Sequence, residues 1–294
     1  MKAAPFEYSR PETIDEACAL LASDDGARVV AGGQTLVPMM AMRLARPTRL
    51  IDIARIGELS YIREDGDAIA IGAVTRQCLV EGSKLIASHL PLLARAVPWI
   101  GHSATRARGT VGGSLANADP AAELPLIAMT LDAVLVARAD GEDSDIPAAE
   151  FFIGPMITAM PMGGVLTGVR FPVWKAKIGV GFHEINARSS DFAFVSAAAQ
   201  VELDASGKCK RIAIGVGAAT DFPMRLESAE QQLTGGALDD AAIKAAVAEA
   251  LADIEALDDL HASAEYRARV AVKLATRAVA DARDHALGKE QHAH

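Results

Sequence analysis

The order of apolar and polar positions divides the chain into short segments of mixed type. Residues 11–23 put Ile14, Ala17, Leu20 and Leu21 on one helical face, with Glu12, Asp15 and Glu16 in the first turns, where the helix dipole favours acids. Residues 28–31 predict a short strand, which Gly32, Gly33, Gln34 and Thr35 interrupt before a helical stretch at 36–44. A second buried strand at 50–53 completes a small βαβ-like module. Next, apolar runs at 61–63 and 69–71 flank Asp65-Gly66-Asp67, a hairpin signal. Residues 79–97 predict a helix broken at Pro91 and ended by Pro98, followed by a glycine-rich loop at 101–117. A short helix at 121–130, a strand at 133–137, a turn at Asp140 and Gly141, and a strand at 165–171 follow.

Residues 173–177 are the expected linker. Beyond them, strands are predicted at 181–186, 195–203 and 211–216, with Ser206 and Gly207 turning the last two into a hairpin. Helices then follow at 224–233, 239–251 (capped by Asp239) and 264–282. Strands first and helices last predict a separate α+β domain built on a three-stranded sheet. The expected organisation is therefore α+β in three pieces, 1–55, 56–177 and 178–285, with a frayed polar tail at 286–294. His285, His292 and His294 are grouped with that tail.

Composition narrows the possibilities. At 294 residues the chain buries about three quarters of its unfolded surface and needs no staple. Aromatics make up only 4%, so the core must be aliphatic and rich in alanine. Lys and Arg total 29 against 38 Asp and Glu, a net charge of −9, which is the wrong sign for tracking nucleic acid. Cys18, Cys78 and Cys209 are widely spaced and fit neither a disulfide framework nor a zinc site. Three thiolates are also one short of the usual iron–sulfur set. No apolar stretch reaches membrane-spanning length and the first residues lack a signal-peptide core, so a cytoplasmic protein is expected.

Two glycine-rich segments carry the candidate chemistry. The first is Val29, Val30, Ala31, Gly32, Gly33, Gln34, Thr35 and Leu36; the second runs from Arg106 through Thr110, Val111, Gly112, Gly113 and Ser114. Glycine lets a ligand approach the main chain and tolerates positive φ, so that successive N–H groups point at one anion. A Gly-Gly pair is also the mark of an ordinary turn, but two such segments in different modules suit a pyrophosphate gripped from both sides. There is no phosphate-loop lysine motif, and Gly179-Val180-Gly181 and Gly215-Val216-Gly217 lack the third glycine of a dinucleotide fingerprint. Arg106 and Arg108 have two readings, as anion contacts or as solvated surface charges. Asp119 and Glu123 are either a carboxylate pair or a turn residue and a first-turn acid. Trp99, Trp174 and Met40 are candidates for ring contacts or for packing. No catalytic base or nucleophile constellation is present.

The segment Ala31-Gly32-Gly33-Gln34-Thr35-Leu36-Val37-Pro38-Met39 and the run from Thr110 through Asn117, Asp119, Pro120 and Glu123 to Pro125 resemble the two FAD loops of molybdenum-hydroxylase flavin subunits. The resemblance continues through Asn186-Ala187-Arg188-Ser189-Ser190-Asp191-Phe192-Ala193 to Glu265-Tyr266-Arg267 and so covers nearly the whole chain. It implies a vanillyl-alcohol-oxidase-like (PCMH-type) FAD-binding fold of two α+β subdomains, plus a C-terminal α+β domain. FAD would contact residues 29–36 and 110–114, Ile100, Leu166 and Glu123, with His183 where relatives place a lysine. Ala107 departs from the asparagine common in the family. The resemblance also implies a large molybdenum-cofactor subunit and a small subunit with [2Fe-2S] clusters, assembled as a dimer of heterotrimers. Electrons would pass from the clusters through FAD to NAD or another acceptor. A stand-alone FAD oxidoreductase and a non-redox phosphate-binding module are the alternatives.

Overall fold

A computed structural model describes residues 2–289. The first sheet is parallel, in the order β1-β3-β2, from β1 (Glu7–Ser9), β2 (Arg28–Val30) and β3 (Arg49–Asp52). Helices α1 (Ile14–Ala22) and α2 (Leu36–Ala41) form its connections. The Thr13 hydroxyl caps α1 by accepting the Glu16 amide, and α1 buries Ile14, Ala17 and Cys18. β1 was not expected, because three largely exposed residues show no periodicity; it forms by pairing with β3.

The second sheet is antiparallel. It contains β4 (Ile62–Asp65), β5 (Ala68–Gly72), β6 (Val134–Ala139), β7 (Glu142–Pro147) and β10 (Val165–Pro172), in the order β4-β5-β10-β6-β7. A small hairpin, β8 (Phe152–Gly154) and β9 (Ile157–Thr158), follows the one-turn helix α9 (Ala148–Phe151). The helix expected at 79–97 is three short ones: α3 (Gln77–Glu81), α4 (Lys84–His89) and α5 (Pro91–Ala96). Gly82 ends the first, and the Ser83 hydroxyl starts the next by accepting the Ile86 amide.

The loop expected at 101–117 also differs, since it contains α6 (Ser103–Arg106) and α7 (Val111–Asn117). Gly112 and Gly113 lie in the first turn of α7, where the Thr110 hydroxyl accepts the Gly113 amide at 3.1 Å. A Cβ on Gly112 would come within 2.7 Å of Ala73 Cα, so glycine here lets the helix sit on the end of β5. Helix α8 (Glu123–Thr130) is buried along its whole length.

The third sheet has four strands, not three: β11 (Ile178–Asn186), β12 (Ala193–Leu203), β13 (Cys209–Gly217) and β14 (Met224–Arg225). Met224, expected to open a helix, instead pairs with Val216, and α10 (Glu227–Leu233) starts later. Asp239 caps α11 (Asp240–Ala250) by accepting the Ala242 amide at 2.9 Å. Helix α12 (Ala264–Ala286) runs beyond the expected end at 282. His285 belongs to this helix, and its Nδ1 accepts the Val180 amide at 3.1 Å. His292 and His294 lie outside the described residues.

This sheet has two buried faces. Val195, Ala197, Ala199 and Val201 share a core with Ala271, Ala275, Ala278 and Ala282 of α12. Val180, Phe182 and Ala198 join the core of the second unit, with Leu92 and Leu126. Small residues bring α12 close: a Cβ on Gly181 would stand 2.9 Å from the Ala278 carbonyl carbon. Residues 173–177 are no free linker. The Val173 amide bonds the Asp67 carbonyl at 2.9 Å, and Trp174 is buried under the Arg211 guanidinium, 3.9 Å from the ring centroid. Among the described residues no helix is long and apolar enough to cross a membrane.

Candidate functional site

One cleft of about 950 Å³ runs along the seam of the first two units, at the upper end of the range for ligand pockets. Its walls include residues 29–36, Ile100, Thr110, Gly112, Gly113, Ser114, Glu123 and Leu166. Two of the expected residues are elsewhere. Val111 is buried in the apolar core, its amide bonded to Thr75. His183 faces α12, its Nε2 2.8 Å from Asp281 Oδ2, and burial lowers its pKa against the raising effect of that partner. Ser190, Asp191 and Phe192 reach the cleft from the loop between β11 and β12. Trp99, Trp174 and Met40 do not line it.

The two glycine segments differ in what their amides offer. In the second, the Val111 amide bonds Thr75 O at 3.0 Å, Gly112 bonds Ala73 O at 2.8 Å, and Gly113 bonds the Thr110 hydroxyl. Those donors are spent on holding α7 in place. In the first, none of the amides of Gly32, Gly33, Gln34, Thr35 and Leu36 has a hydrogen-bond partner among the described residues. All five residues line the cleft, and Gly33 has φ +69°, which turns successive N–H groups toward one side. The first segment therefore offers the free amides an anion would need, while the second brings the hydroxyls of Thr110 and Ser114 to the cleft wall.

The segments touch through glycine. A Cβ on Gly32 would stand 2.5 Å from Arg108 O and 2.9 Å from Gly109 Cα. Arg106 is not free for an anion. It pairs with both oxygens of Glu81 at 2.8 and 3.0 Å and donates to the carbonyls of Ile100 and Gly101 at 3.1 and 2.8 Å. Its role is to hold the segment that carries Ile100. Asp119 accepts the Ala121 amide at 2.9 Å in a tight turn leading to α8.

Two polar side chains escaped the sequence reading. Gln77 lines the cleft, is 5% exposed, and its Oε1 is buried with no partner. The available signal was a polar residue opening a helix directly after a buried strand. Glu184, beside His183, points to the opposite face of β11 because side chains alternate along a strand. Burial pushes the Glu184 carboxyl up to about 8, with the Glu123 charge raising it further and Asn186 lowering it. Burial likewise pushes Glu123 up to about 7; its own backbone amide lowers it, Asp119 raises it and Arg106 lowers it.

A cleft with five unpaired amides, hydroxyls beside them and buried acceptors in its walls suits a nucleotide with a pyrophosphate. The comparisons with known proteins agree. Residues 4–174 match the FAD binding domain in molybdopterin dehydrogenase, and residues 181–282 match the CO dehydrogenase flavoprotein C-terminal domain. The chain belongs to this family of flavin subunits, as the motif resemblance implied.

Among its relatives is the 6-hydroxypseudooxynicotine dehydrogenase complex subunit alpha of Paenarthrobacter nicotinovorans, 38% identical over 283 residues, 96% of each chain. The carbon monoxide dehydrogenase medium chain of Afipia carboxidovorans is 36% identical over 275 residues, 93% of this chain and 95% of the relative. Carbon monoxide dehydrogenase from Hydrogenophaga pseudoflava, solved without the Mo-pyranopterin moiety of its cofactor, superposes with TM-score 0.92 at 34% identity, covering 96% of this chain and 98% of that one. Quinoline 2-oxidoreductase from Pseudomonas putida 86 superposes with TM-score 0.92 at 31% identity, covering 98% and 100%. The α+β class expected from sequence is the fold adopted, and the chain is an FAD-binding oxidoreductase subunit.

Proposed function

We propose that this chain carries electrons within a heteromeric molybdenum hydroxylase. It would take them from a small subunit with [2Fe-2S] clusters, fed by a large subunit with the molybdenum cofactor, and pass them through FAD to NAD or another acceptor. Its units 1–55 and 56–177 would hold FAD between them, the unit 178–285 would cover the cleft, and the assembly would be a cytoplasmic dimer of heterotrimers. Three unpaired cysteines, two of them buried, support a reducing compartment and leave the clusters to a partner.

The observation that carries the reading is the row of five unpaired amides from Gly32 to Leu36 at the contact with Arg108 and Gly109. Those amides would bind the pyrophosphate, with Thr110 and Ser114 beside it. Glu123 would accept a hydrogen bond from an N–H or O–H of the nucleotide, and Ile100 and Leu166 would pack along it. The bound FAD supplies the redox chemistry, exchanging single electrons with one partner and electron pairs with another. No base of this chain is needed, so its residues only bind, orient and exclude water.

Co-purification from the native source tests the assignment. FAD, molybdenum and iron are expected to co-elute with the chain, and substrate added anaerobically should bleach the flavin. Elution of the chain with FAD but without either metal would refute the complex. Failure of the chain to bind FAD at all would refute the cleft assignment.

A further inference from the structure

Among the described residues that line the cleft, Gln77 alone has a buried side-chain atom without a hydrogen-bond partner, its Oε1. The residue opens α3 and is 5% exposed. Buried polar atoms are almost always hydrogen-bonded, and an acceptor left without a donor destabilises the fold. An orphan in the wall of a binding site therefore calls for an explanation.

The surroundings of Gln77 fix its place but give Oε1 no donor. Its main-chain amide donates to Gly109 O at 3.0 Å, and its carboxamide lies along Gly109. A Cβ on Gly109 would stand 2.5 Å from Oε1 and 2.9 Å from Cδ, so glycine at 109 leaves room for the carboxamide. Gly109 also meets Gly32, whose Cβ would stand 2.9 Å from Gly109 Cα. The carboxamide is thus packed against the residue that touches the start of the unpaired amides at 32–36. Thr105 O lies 3.0 Å from the same Gly109 Cβ position, but it is itself an acceptor and already takes the Gly109 amide at 2.7 Å. The Arg106 guanidinium is engaged by Glu81 and by the carbonyls of Ile100 and Gly101. The last torsion of a glutamine is broad, so the oxygen turns toward the cleft at little cost.

We propose that Gln77 is a nucleotide-binding residue of the flavin site: its Oε1 accepts a hydrogen bond from a hydroxyl or N–H of FAD next to the pyrophosphate. This rests on the assignment of the cleft to FAD. An ionised pyrophosphate offers only acceptors, so the donor belongs to a sugar, ribityl or ring group beside it. The bond transfers no electron and no atom; it orients the nucleotide and discriminates against a ligand that lacks a donor at that point.

Two measurements on the full-length chain test this together: FAD binding, followed by quenching of flavin fluorescence, and thermal unfolding of the FAD-free protein. Gln77→Met removes the carboxamide but keeps the length of the side chain. Its Kd for FAD should rise about tenfold. Its FAD-free melting temperature should equal or exceed the parent's, because an unpartnered acceptor is replaced by an apolar group. Gln77→Leu should behave alike and gives the reading if Gln77→Met fails to fold. A Kd within about twofold of the parent's in both variants would overturn the proposal while leaving the FAD assignment intact. A FAD-free melting temperature lower by more than about 4 °C in both would make the side chain part of the frame and also overturn it. No saturable FAD binding by the parent would overturn the proposal and the FAD assignment together.

Discussion

Gly32→Ala tests most directly how the two glycine segments make one site. The new Cβ would stand 2.5 Å from Arg108 O, 2.9 Å from Gly109 Cα and 3.1 Å from the Arg108 carbonyl carbon, all backbone atoms. Comfortable carbon contacts begin near 3.5 Å, so the segments must separate by about 1 Å. The second segment is fixed. Gly109 donates to Thr105 O at 2.7 Å and accepts from the Gln77 amide at 3.0 Å, while Arg76 holds the Arg108 carbonyl. The first segment has no such anchors, because its amides from Gly32 to Leu36 are unpaired. It therefore gives way. Overpacking of this kind costs about 1–3 kcal/mol, and each 1.4 kcal/mol diverted from binding weakens affinity about tenfold. Kd for FAD should rise about 10- to 100-fold, while the ligand-free melting temperature falls by less than about 4 °C. Gly57→Ala is the control, since its Cβ meets nothing within 4 Å. An FAD Kd for Gly32→Ala within about twofold of the parent would show that the loop contact does not shape the site.

Gly181→Ala should act on stability alone: its Cβ would stand 2.9 Å from the Ala278 carbonyl carbon, so urea denaturation should show a loss of about 1–3 kcal/mol with FAD affinity unchanged. Arg106→Lys keeps the charge but loses the two-pronged bond to Glu81 and at least one carbonyl contact, so the segment holding Ile100 loosens and FAD binding weakens about tenfold, as a titration would read. Glu123 and Glu184 have folded-state pKa values of about 7 and about 8, above those of the unfolded chain, so the folded state holds extra protons between roughly pH 4.5 and 8. Stability is then greatest at the acid end of that window and falls as pH rises through it, with a slope of up to about 1.4 kcal/mol per pH unit per proton. Urea melts of the FAD-free parent and of Glu184→Gln between pH 6 and 8.5 should differ by that loss, and parallel curves would refute the sign.

Much of this architecture follows from local patterns. The α1 face, the Asp239 cap and the long C-terminal helix are read from residues a few positions apart, and so is the location of both glycine segments. What escaped depends on partners far away in the chain. β1 exists because Arg49, Leu50 and Ile51 accept it, and the glycines expected in a loop are helical because α7 lies on Ala73. His183 lies on the face of β11 that meets α12, beside Asp281 and away from the cleft. Strand periodicity implies that neighbours face opposite ways, but it does not say which face meets α12; only the packing of α12 on one side and of the second unit's core on the other decides that.

The same reasoning separates two motifs that look equivalent on paper. Each has a Gly-Gly pair and a nearby hydroxyl residue, and each precedes a helical stretch. Yet the carbonyls of Ala73 and Thr75, more than thirty residues upstream, consume the donors of the second. No such carbonyls reach the first, so its amides from Gly32 to Leu36 stay unpaired among the described residues. A glycine pair thus marks where backbone comes close to something, and the hydrogen-bond partners already present determine whether that something is protein or nucleotide.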